Sequence, residues 1–254
     1  MSRSKSAPST ARWDAIDALR GSAVMAMIAY HFAFDLVHFG WLHADPYNDL
    51  RWIGSRTAIL SSFLLVAGMS LALAEANHES ATHFWKRIAK VGGAALLVSI
   101  GSWLVFGERY IWFGVLHAIA VISVLSRPLL SRPLLALRRW LIVLGALLVA
   151  IGATIQHPMF DQSLMRWIGL ATMKPRTEDY VPILPWMGVL LVGAGSMFAL
   201  LSRPRATTRM RQWTMPAVLS PVGWLGRHSL MVYLVHQPLI FGAMTLVAMW
   251  LRRA

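Results

Sequence analysis

The chain has 254 residues, of which 57% are hydrophobic and 14% are charged, and its mean hydropathy is +0.55. Because about a quarter of the residues of a soluble domain are charged, this composition excludes a disordered chain, a fibrous repeat and an ordinary water-soluble enzyme. The net charge of +13 would by itself suggest a nucleic-acid-binding protein. Cysteine is absent, which excludes disulfides, thiolate metal ligands and a cysteine nucleophile.

Seven apolar segments follow one another along the chain, and a bilayer-spanning helix needs about 20 such residues. They are 18–42, 57–74, 88–106, 111–126, 140–155, 181–201 and 225–251. The sequence therefore predicts an all-α polytopic membrane protein with about seven transmembrane helices, six or eight being the alternatives. Residues 1–16 are expected to form a short basic tail, and 17–254 a single domain, since no linker or repeat divides them.

The positive charge is concentrated in four of the segments between the apolar runs. Residues 1–20, 75–90, 127–139 and 202–227 contain most of the 24 Lys and Arg, whereas the opposite loops are slightly acidic. Because cytoplasmic loops of membrane proteins carry an excess of Lys and Arg, this pattern predicts a cytoplasmic N-terminus. The excess charge then reflects topology, so we expect membrane lipids as partners and no nucleic acid.

The first apolar segment carries ionisable residues along one side. At 100° per residue, five side chains point within about 60° of one another: Asp17, Arg20, His31, Asp35 and His38. Ionisable groups inside a membrane are costly and often mark function. Asp35, four residues after His31, can accept a hydrogen bond from one ring nitrogen and leave the other free as a general base. A buried structural pair is the alternative.

Three further sets of residues are candidates for binding. Arg20 lies near the predicted cytoplasmic end, where its guanidinium suits a phosphate or carboxylate, unless Asp17 and Arg20 simply form an ion pair at the start of the helix. In the last segment, one helical face carries Ser229, Tyr233 and His236, with Gln237 adjacent. This face is predicted either to line a cavity or to form interhelical hydrogen bonds. His117 is either a core histidine or a cavity residue.

Four stretches of the chain resemble transmembrane acyltransferases. They are WDAIDALRGSAVMAMIAYHFAFD at 13–35, FLLVAGMS at 63–70, YIWFGVLH at 110–117 and LGRHSLMVYLVHQP at 225–238. Together they resemble the bacterial relatives of heparan-alpha-glucosaminide N-acetyltransferase. Arg20 and His31 also show the Arg-x10-His spacing typical of the acyltransferase-3 family.

The resemblance implies a multi-pass enzyme of the bacterial cytoplasmic (inner) membrane. It would move an acyl group, in the first instance acetyl, from acetyl-CoA or another acyl-CoA to an amine or hydroxyl acceptor on a sugar or glycoconjugate. By the same resemblance His31 is the base, and Arg20 either contacts the coenzyme or positions the helix. Animal members place their reactive histidine after this helix, near the outer face, so His38 or His43 could fill that place. The oligomeric state is left open.

Two other interpretations bear on the same residues. The polar stripes could instead relay protons or bind cargo in a proton-coupled membrane transporter, which is the alternative function. A metal enzyme is not expected, because no H-E-x-x-H motif or close carboxylate cluster occurs.

Overall fold

The computed structural model describes residues 12–131 and 138–252. Most of the predicted basic tail, 1–16, therefore lies outside the described residues, as do 132–137 and 253–254. Within the described part the chain is helical and has no strand; an isolated bridge joins Phe113 and Tyr180. The predicted all-α class is confirmed.

Nine α-helices make up the described part of the chain, and short 3-10 turns lie between some of them. They are α1 (Asp14–His38), α2 (Leu50–Ala76), α3 (Ala81–Phe106), α4 (Val115–Leu130), α5 (Leu141–Thr154), α6 (Ile183–Leu201), α7 (Pro204–Gln212), α8 (Ser220–Arg227) and α9 (Ser229–Leu251). The first six apolar segments each overlap one helix, from α1 to α6, and the last covers α9 together with the end of α8. The short helices α7 and α8 lie in the basic segment 202–227.

Four of the described helices are long and apolar enough to cross a membrane: Leu50–Ala76, Ala81–Arg109, Ile183–Leu201 and Ser229–Leu251. Helix α4 is apolar but shorter, and α5, with 14 residues, is about 21 Å long. Helix α1 has 25 residues, but its histidines and charged residues lower its hydropathy. The protein is thus a membrane protein, and its described part has four candidate spans by helix length and hydropathy.

The centre of the bundle is the crossing of α2 and α6. A Cβ on Gly68 of α2 would overlap the carbonyl oxygen of Leu190, and one on Gly193 of α6 would overlap that of Leu65. Such close approach of backbones is typical of membrane helices, in which small residues let helices pack without a hydrophobic driving force. The buried apolar residues of the core include Leu64, Ala72, Ala118, Ile122, Leu191 and Ala194.

The contacts at the helix ends define two sides of the bundle. The start of α1 lies beside the end of α2, because Arg20 donates to Ser70, and beside the segment leading into α8, because the backbone N–H of Met215 donates to Asp14. We call this side the basic end. The opposite side, which contains the loops 39–49 and 155–182, is called the distal end. Helix α9 runs beside α1 in the same direction, from the basic to the distal end.

Candidate active site

A buried carboxylate organises the basic end. Asp17 is 2% exposed and accepts a hydrogen bond of 2.7 Å from Nε of Arg12 and one of 3.3 Å from Nη1 of Arg20. Nη2 of Arg20 donates to Oγ of Ser70 at 2.8 Å. The ion pair between Asp17 and Arg20 is formed, and it holds the Arg20 fork in a fixed orientation toward α2.

Arg20 belongs to a cluster of cations. Arg12 and Arg87 both lie close enough to repel its guanidinium electrostatically, and Glu79 acts in turn on Arg87. The side chain of Arg20 remains 24% exposed. The guanidinium groups of Arg12 and Arg87 act electrostatically on that of Arg20, and among the described residues Asp17 and Glu79 offset this charge only in part, so this place can bind an anion such as a phosphate. The sequence did not single out Arg87, since nothing in a linear pattern shows that α3 brings it beside α1.

Helix α8 fixes the position of this end of α1. A Cβ on Gly21 would overlap the carbonyl oxygen of Val222, and one on Gly226 would overlap that of Asp17. The two backbones are therefore in direct contact, with no side chain between them. A shift of α8 would move Asp17 and hence the Arg20 guanidinium that Asp17 orients.

Near the distal half of α1, four polar residues meet at the interface with α9. Asp35 is 1% exposed, and both of its oxygens accept hydrogen bonds from Nε2 of Gln237, at 2.9 and 3.1 Å. The ring centre of His31 lies 5.1 Å from that of His236, with the planes at 58°. The structure thus brings together His31, Asp35, His236 and Gln237.

One predicted contact in this group is wrong. Asp35 was expected to hold a ring nitrogen of His31, but in the described structure it binds Gln237 and no hydrogen bond joins it to His31. The spacing of four residues places both side chains on one face. The His31 ring, however, lies against His236 of the neighbouring helix, while the amide of Gln237 reaches both carboxylate oxygens. Asp35 therefore links α1 to α9 and leaves the tautomer of His31 unset.

His117 is part of the start of α4. Its Nδ1 accepts from the backbone N–H of Gly114 at 3.3 Å, and its Nε2 lies 3.2 Å from Oγ of Ser99 on α3. Because Nδ1 accepts, the proton of a neutral ring is on Nε2 and can be donated to Ser99. Both ring nitrogens are engaged, which is the arrangement of a structural core histidine rather than of a free base.

The remaining candidates take separate positions. Tyr233 packs beside His236, with ring centres 5.8 Å apart, and Ser229 is the half-buried first residue of α9. His38 lies against Phe241 at the distal end and borders an open cavity of about 320 Å³. His43 is exposed in the loop 39–49, and no hydrogen bond or ring contact within the described ranges involves it. The structure therefore leaves His43 outside the group around His31.

Asp179 is a charged residue whose position the sequence did not indicate. It precedes α6, and its Oδ2 accepts from the backbone N–H of Val115 at 3.0 Å. Burial raises the pKa of Asp179, although the Val115 hydrogen bond and the charges of Lys174 and Arg56 act in the opposite direction. Asp179 also interacts electrostatically with Tyr233. Its hydrogen bond links the distal loop to the start of α4.

No group of three or more His, Cys, Asp or Glu side chains that could hold a metal ion occurs in residues 12–131 and 138–252. The charged and polar groups gather instead in two places along α1, the cation cluster around Arg20 and the histidine pair of His31 and His236. These are the places where a polar substrate would meet complementary groups.

A comparison with protein families gives one result that covers most of the chain. The family described as "Heparan-alpha-glucosaminide N-acetyltransferase, catalytic" matches residues 12–238. The match ends at Pro238, so it includes both α1 and the part of α9 that carries His236 and Gln237. No curated protein and no solved structure matches the chain significantly.

Proposed function

The chain belongs to the heparan-alpha-glucosaminide N-acetyltransferase catalytic family, and on that premise we propose that it transfers an acetyl group from acetyl-CoA to an acceptor. The acceptor is an amine or a hydroxyl group, in the first instance on a sugar or glycoconjugate. Family membership favours this membrane acetyltransferase over the transporter alternative.

One observation carries the proposal: a single helix joins a cationic cluster to a histidine pair. Arg20 and His31 are eleven residues apart, a rise of about 16 Å along α1. An acyl-CoA carries phosphates at one end and its thioester at the end of a long flexible arm. We infer that the phosphates bind among Arg12, Arg20 and Arg87 at the basic end, and that the arm extends along α1 toward His31 and His236.

The chemistry requires a proton acceptor beside the thioester. A neutral amine or an alkoxide attacks a thioester carbonyl, whereas an ammonium or a neutral hydroxyl does so poorly, so a base that removes the acceptor's proton speeds the transfer. Imidazole is the side chain whose ordinary pKa lies nearest to neutrality. We infer that this base is a histidine of the facing pair. Acyl-group transfer then forms a bond from the acceptor to the carbonyl carbon and breaks the carbon–sulfur bond.

We further propose that α1, α4 and α5 cross the membrane together with the four longer apolar helices, which makes seven crossings. Successive long helices run in opposite directions between the basic and the distal ends. The basic segments 75–90 and 202–227 lie at the same end as the start of α1, which supports a cytoplasmic N-terminus by the positive-inside rule. A short helix such as α5 can span where the bilayer thins locally. The membrane would be the cytoplasmic membrane of a bacterium.

The test measures coenzyme A release. The purified protein in lipid nanodiscs is mixed with acetyl-CoA and a panel of amino sugars and neutral sugars, and free thiol is followed for wild type, His31→Ala and His43→Ala. We expect acceptor-dependent release that His31→Ala abolishes and His43→Ala preserves. No release with any acceptor would contradict the proposed function. Full release by His31→Ala would exclude His31 from the reaction.

A further inference from the structure

We propose that His236 is the catalytic base of this site, and that its Nε2 takes the proton that the acceptor loses. The inference rests on the proposed acetyl transfer and names the residue that removes the proton. The sequence favours His31 for this role on the expectation that Asp35 sets its tautomer, but Asp35 is bound to Gln237 instead.

The tautomer of His236 follows from its partners. Its Nδ1 lies 2.8 Å from the carbonyl oxygen of Tyr233 and 3.2 Å from that of Val232. A carbonyl oxygen can only accept a hydrogen bond, so Nδ1 carries the proton and donates it. In the neutral ring the lone pair is then on Nε2. A backbone carbonyl that fixes the tautomer of a histidine in this way is a common arrangement for a base or a ligand.

No hydrogen-bond donor of the described residues reaches the Nε2 atom of His236. The residue is 7% exposed, and its Nε2 is a buried atom without a hydrogen-bond partner in the described part of the chain. A buried acceptor left unpaired costs free energy, so each such atom needs an explanation. One explanation is that this lone pair accepts a proton from the substrate. The adjacent ring of His31 supports this explanation.

The neighbouring ring defines where the acceptor group would lie. The rings of His31 and His236 are in contact, 5.1 Å apart between centres and inclined at 58°, yet no hydrogen bond joins their nitrogens in the described structure. We infer that the acceptor's amine or hydroxyl binds at the edges of the two rings, where it donates its proton to Nε2 of His236 and forms a hydrogen bond with His31. His31 contacts the substrate, and His236 changes its protonation state.

The two helices are held in register beside this pair. Gln237, the next residue after His236, is bound through its amide to both oxygens of Asp35, which is one helical turn from His31. This link makes Gln237 and Asp35 positioning residues. They fix the distance between the two imidazoles without touching the acceptor.

The proton balance of the step is complete within the reaction. The acceptor's proton moves to Nε2 of His236, the acceptor atom bonds to the acetyl carbonyl carbon, and the carbon–sulfur bond breaks with its electron pair on sulfur. The imidazolium of His236 then returns the proton to the coenzyme A thiolate. The charged ring still donates from Nδ1 to the Tyr233 carbonyl, which stabilises it.

The experiment compares His236→Gln with His228→Gln. The control histidine lies at the start of the same helix, and its Nδ1 likewise lies 2.9 Å from the carbonyl oxygen four residues earlier, but its side chain is exposed. We expect His236→Gln to lower kcat for coenzyme A release about 10²- to 10⁴-fold, with little change in the KM of acetyl-CoA. His228→Gln should keep wild-type rates.

A pH profile separates a base from a structural residue. In wild type, kcat/KM should fall at low pH as the base becomes protonated, and the residual activity of His236→Gln should lack this fall and increase when imidazole is added. A variant that keeps wild-type activity, or that loses activity while keeping the acidic fall and showing no rescue, would overturn the inference. Wild type without any coenzyme A release would instead contradict the proposed function.

A spectroscopic measurement tests the inference even if His236→Gln does not fold. In protein labelled with ¹⁵N-histidine, His236 should give the signals of a neutral ring protonated at Nδ1 and unprotonated at Nε2. His236→Asn, the shorter amide, serves to assign them by their loss. A signal from protonated Nε2 at neutral pH would overturn the assignment of the base.

Discussion

Gln237 of α9 donates to both carboxylate oxygens of Asp35 on α1, at 2.9 and 3.1 Å, across 202 positions of the sequence. The two residues lie beside the facing rings of His31 and His236. This pair of hydrogen bonds therefore connects the first and last long helices at the level where the reaction is proposed to occur.

Removal of this link should destabilise the fold. We expect Gln237→Ala to lower the free energy of unfolding by about 2–3 kcal/mol, because it leaves the buried carboxylate of Asp35 without its donor. Asp35→Asn should cost less than Asp35→Ala, since an amide oxygen can still accept from Gln237. Denaturant unfolding in detergent measures these changes. Gln212→Ala, at the exposed end of α7, is the control, and equal stability of the two glutamine variants would contradict the prediction.

The contact between α1 and α8 should tolerate no added methyl group. We expect Gly226→Ala to destabilise the protein by about 1–3 kcal/mol, because its Cβ would overlap the carbonyl oxygen of Asp17. Gly242→Ala on α9 is the matched control, since nothing lies within 4 Å of a Cβ at that position. Thermal unfolding in nanodiscs reports both. If the two variants unfold at the same temperature, the close packing of α8 on α1 is not as described.

The cation cluster should act on donor binding. We expect Arg20→Ala to raise the KM of acetyl-CoA at least about tenfold, because a charge-assisted hydrogen bond is worth about 1.5–3 kcal/mol. Arg87→Ala should act in the same direction and reduce the dependence of KM on salt. Arg51→Ala, whose side chain is 91% exposed at the distal end, should leave KM unchanged. A loss of kcat alone in Arg20→Ala would argue that this arginine does not bind the donor.

Two loop carboxylates should give opposite pH dependences of stability. Burial raises the pKa of Asp179 above its ordinary value of 3.8. Its contribution to the free energy of unfolding is therefore present at low pH and is lost as the pH rises through the raised pKa. A hydrogen bond from Thr172 lowers the pKa of Asp161 below 3.8. Its contribution to the free energy of unfolding is therefore present at neutral pH and is lost as the pH falls through the lowered pKa.

The corresponding variants separate the two effects. Asp179→Asn should gain stability relative to wild type as the pH rises above about 4, because the amide keeps an oxygen for the Val115 N–H and cannot ionise. Asp161→Asn should be less stable than wild type by a constant amount above about pH 4, and this difference should shrink as the pH falls below 3.8. The midpoint of urea unfolding, followed from below pH 3 to pH 8, measures both. Parallel curves for the two variants would show that these carboxylates do not titrate differently.

Much of this arrangement could be predicted from helical periodicity. The 100° rule placed His31 and Asp35 on one face of α1, and Tyr233 and His236 on one face of α9, and the structure brings these faces together. The partner of Asp35 could not be predicted in this way. A spacing shows which side chains share a face, but a hydrogen bond also depends on what the neighbouring helix presents to that face.

The same limit explains the residues whose roles differ from the prediction or were missed. His117 had two interpretations from the sequence, and the choice came from Ser99 on α3 and the backbone of Gly114. Arg87 and Asp179 carried no motif, and they gained their neighbours only when α3 and the distal loop packed against other elements.

The sequence by itself determined that this is a helical membrane protein, which segments form its long helices, and which family its motifs resemble. Apolar length and periodicity are local properties, and they survive any arrangement of the helices. Only the tertiary structure decided that Asp35 accepts from Gln237, that Nε2 of His236 has no partner among the described residues, and that Arg12 and Arg20 share Asp17 while Arg87 acts on Arg20. Those outcomes depend on distances between helices far apart in the chain, which are set by close backbone contacts such as that of Gly226 with Asp17.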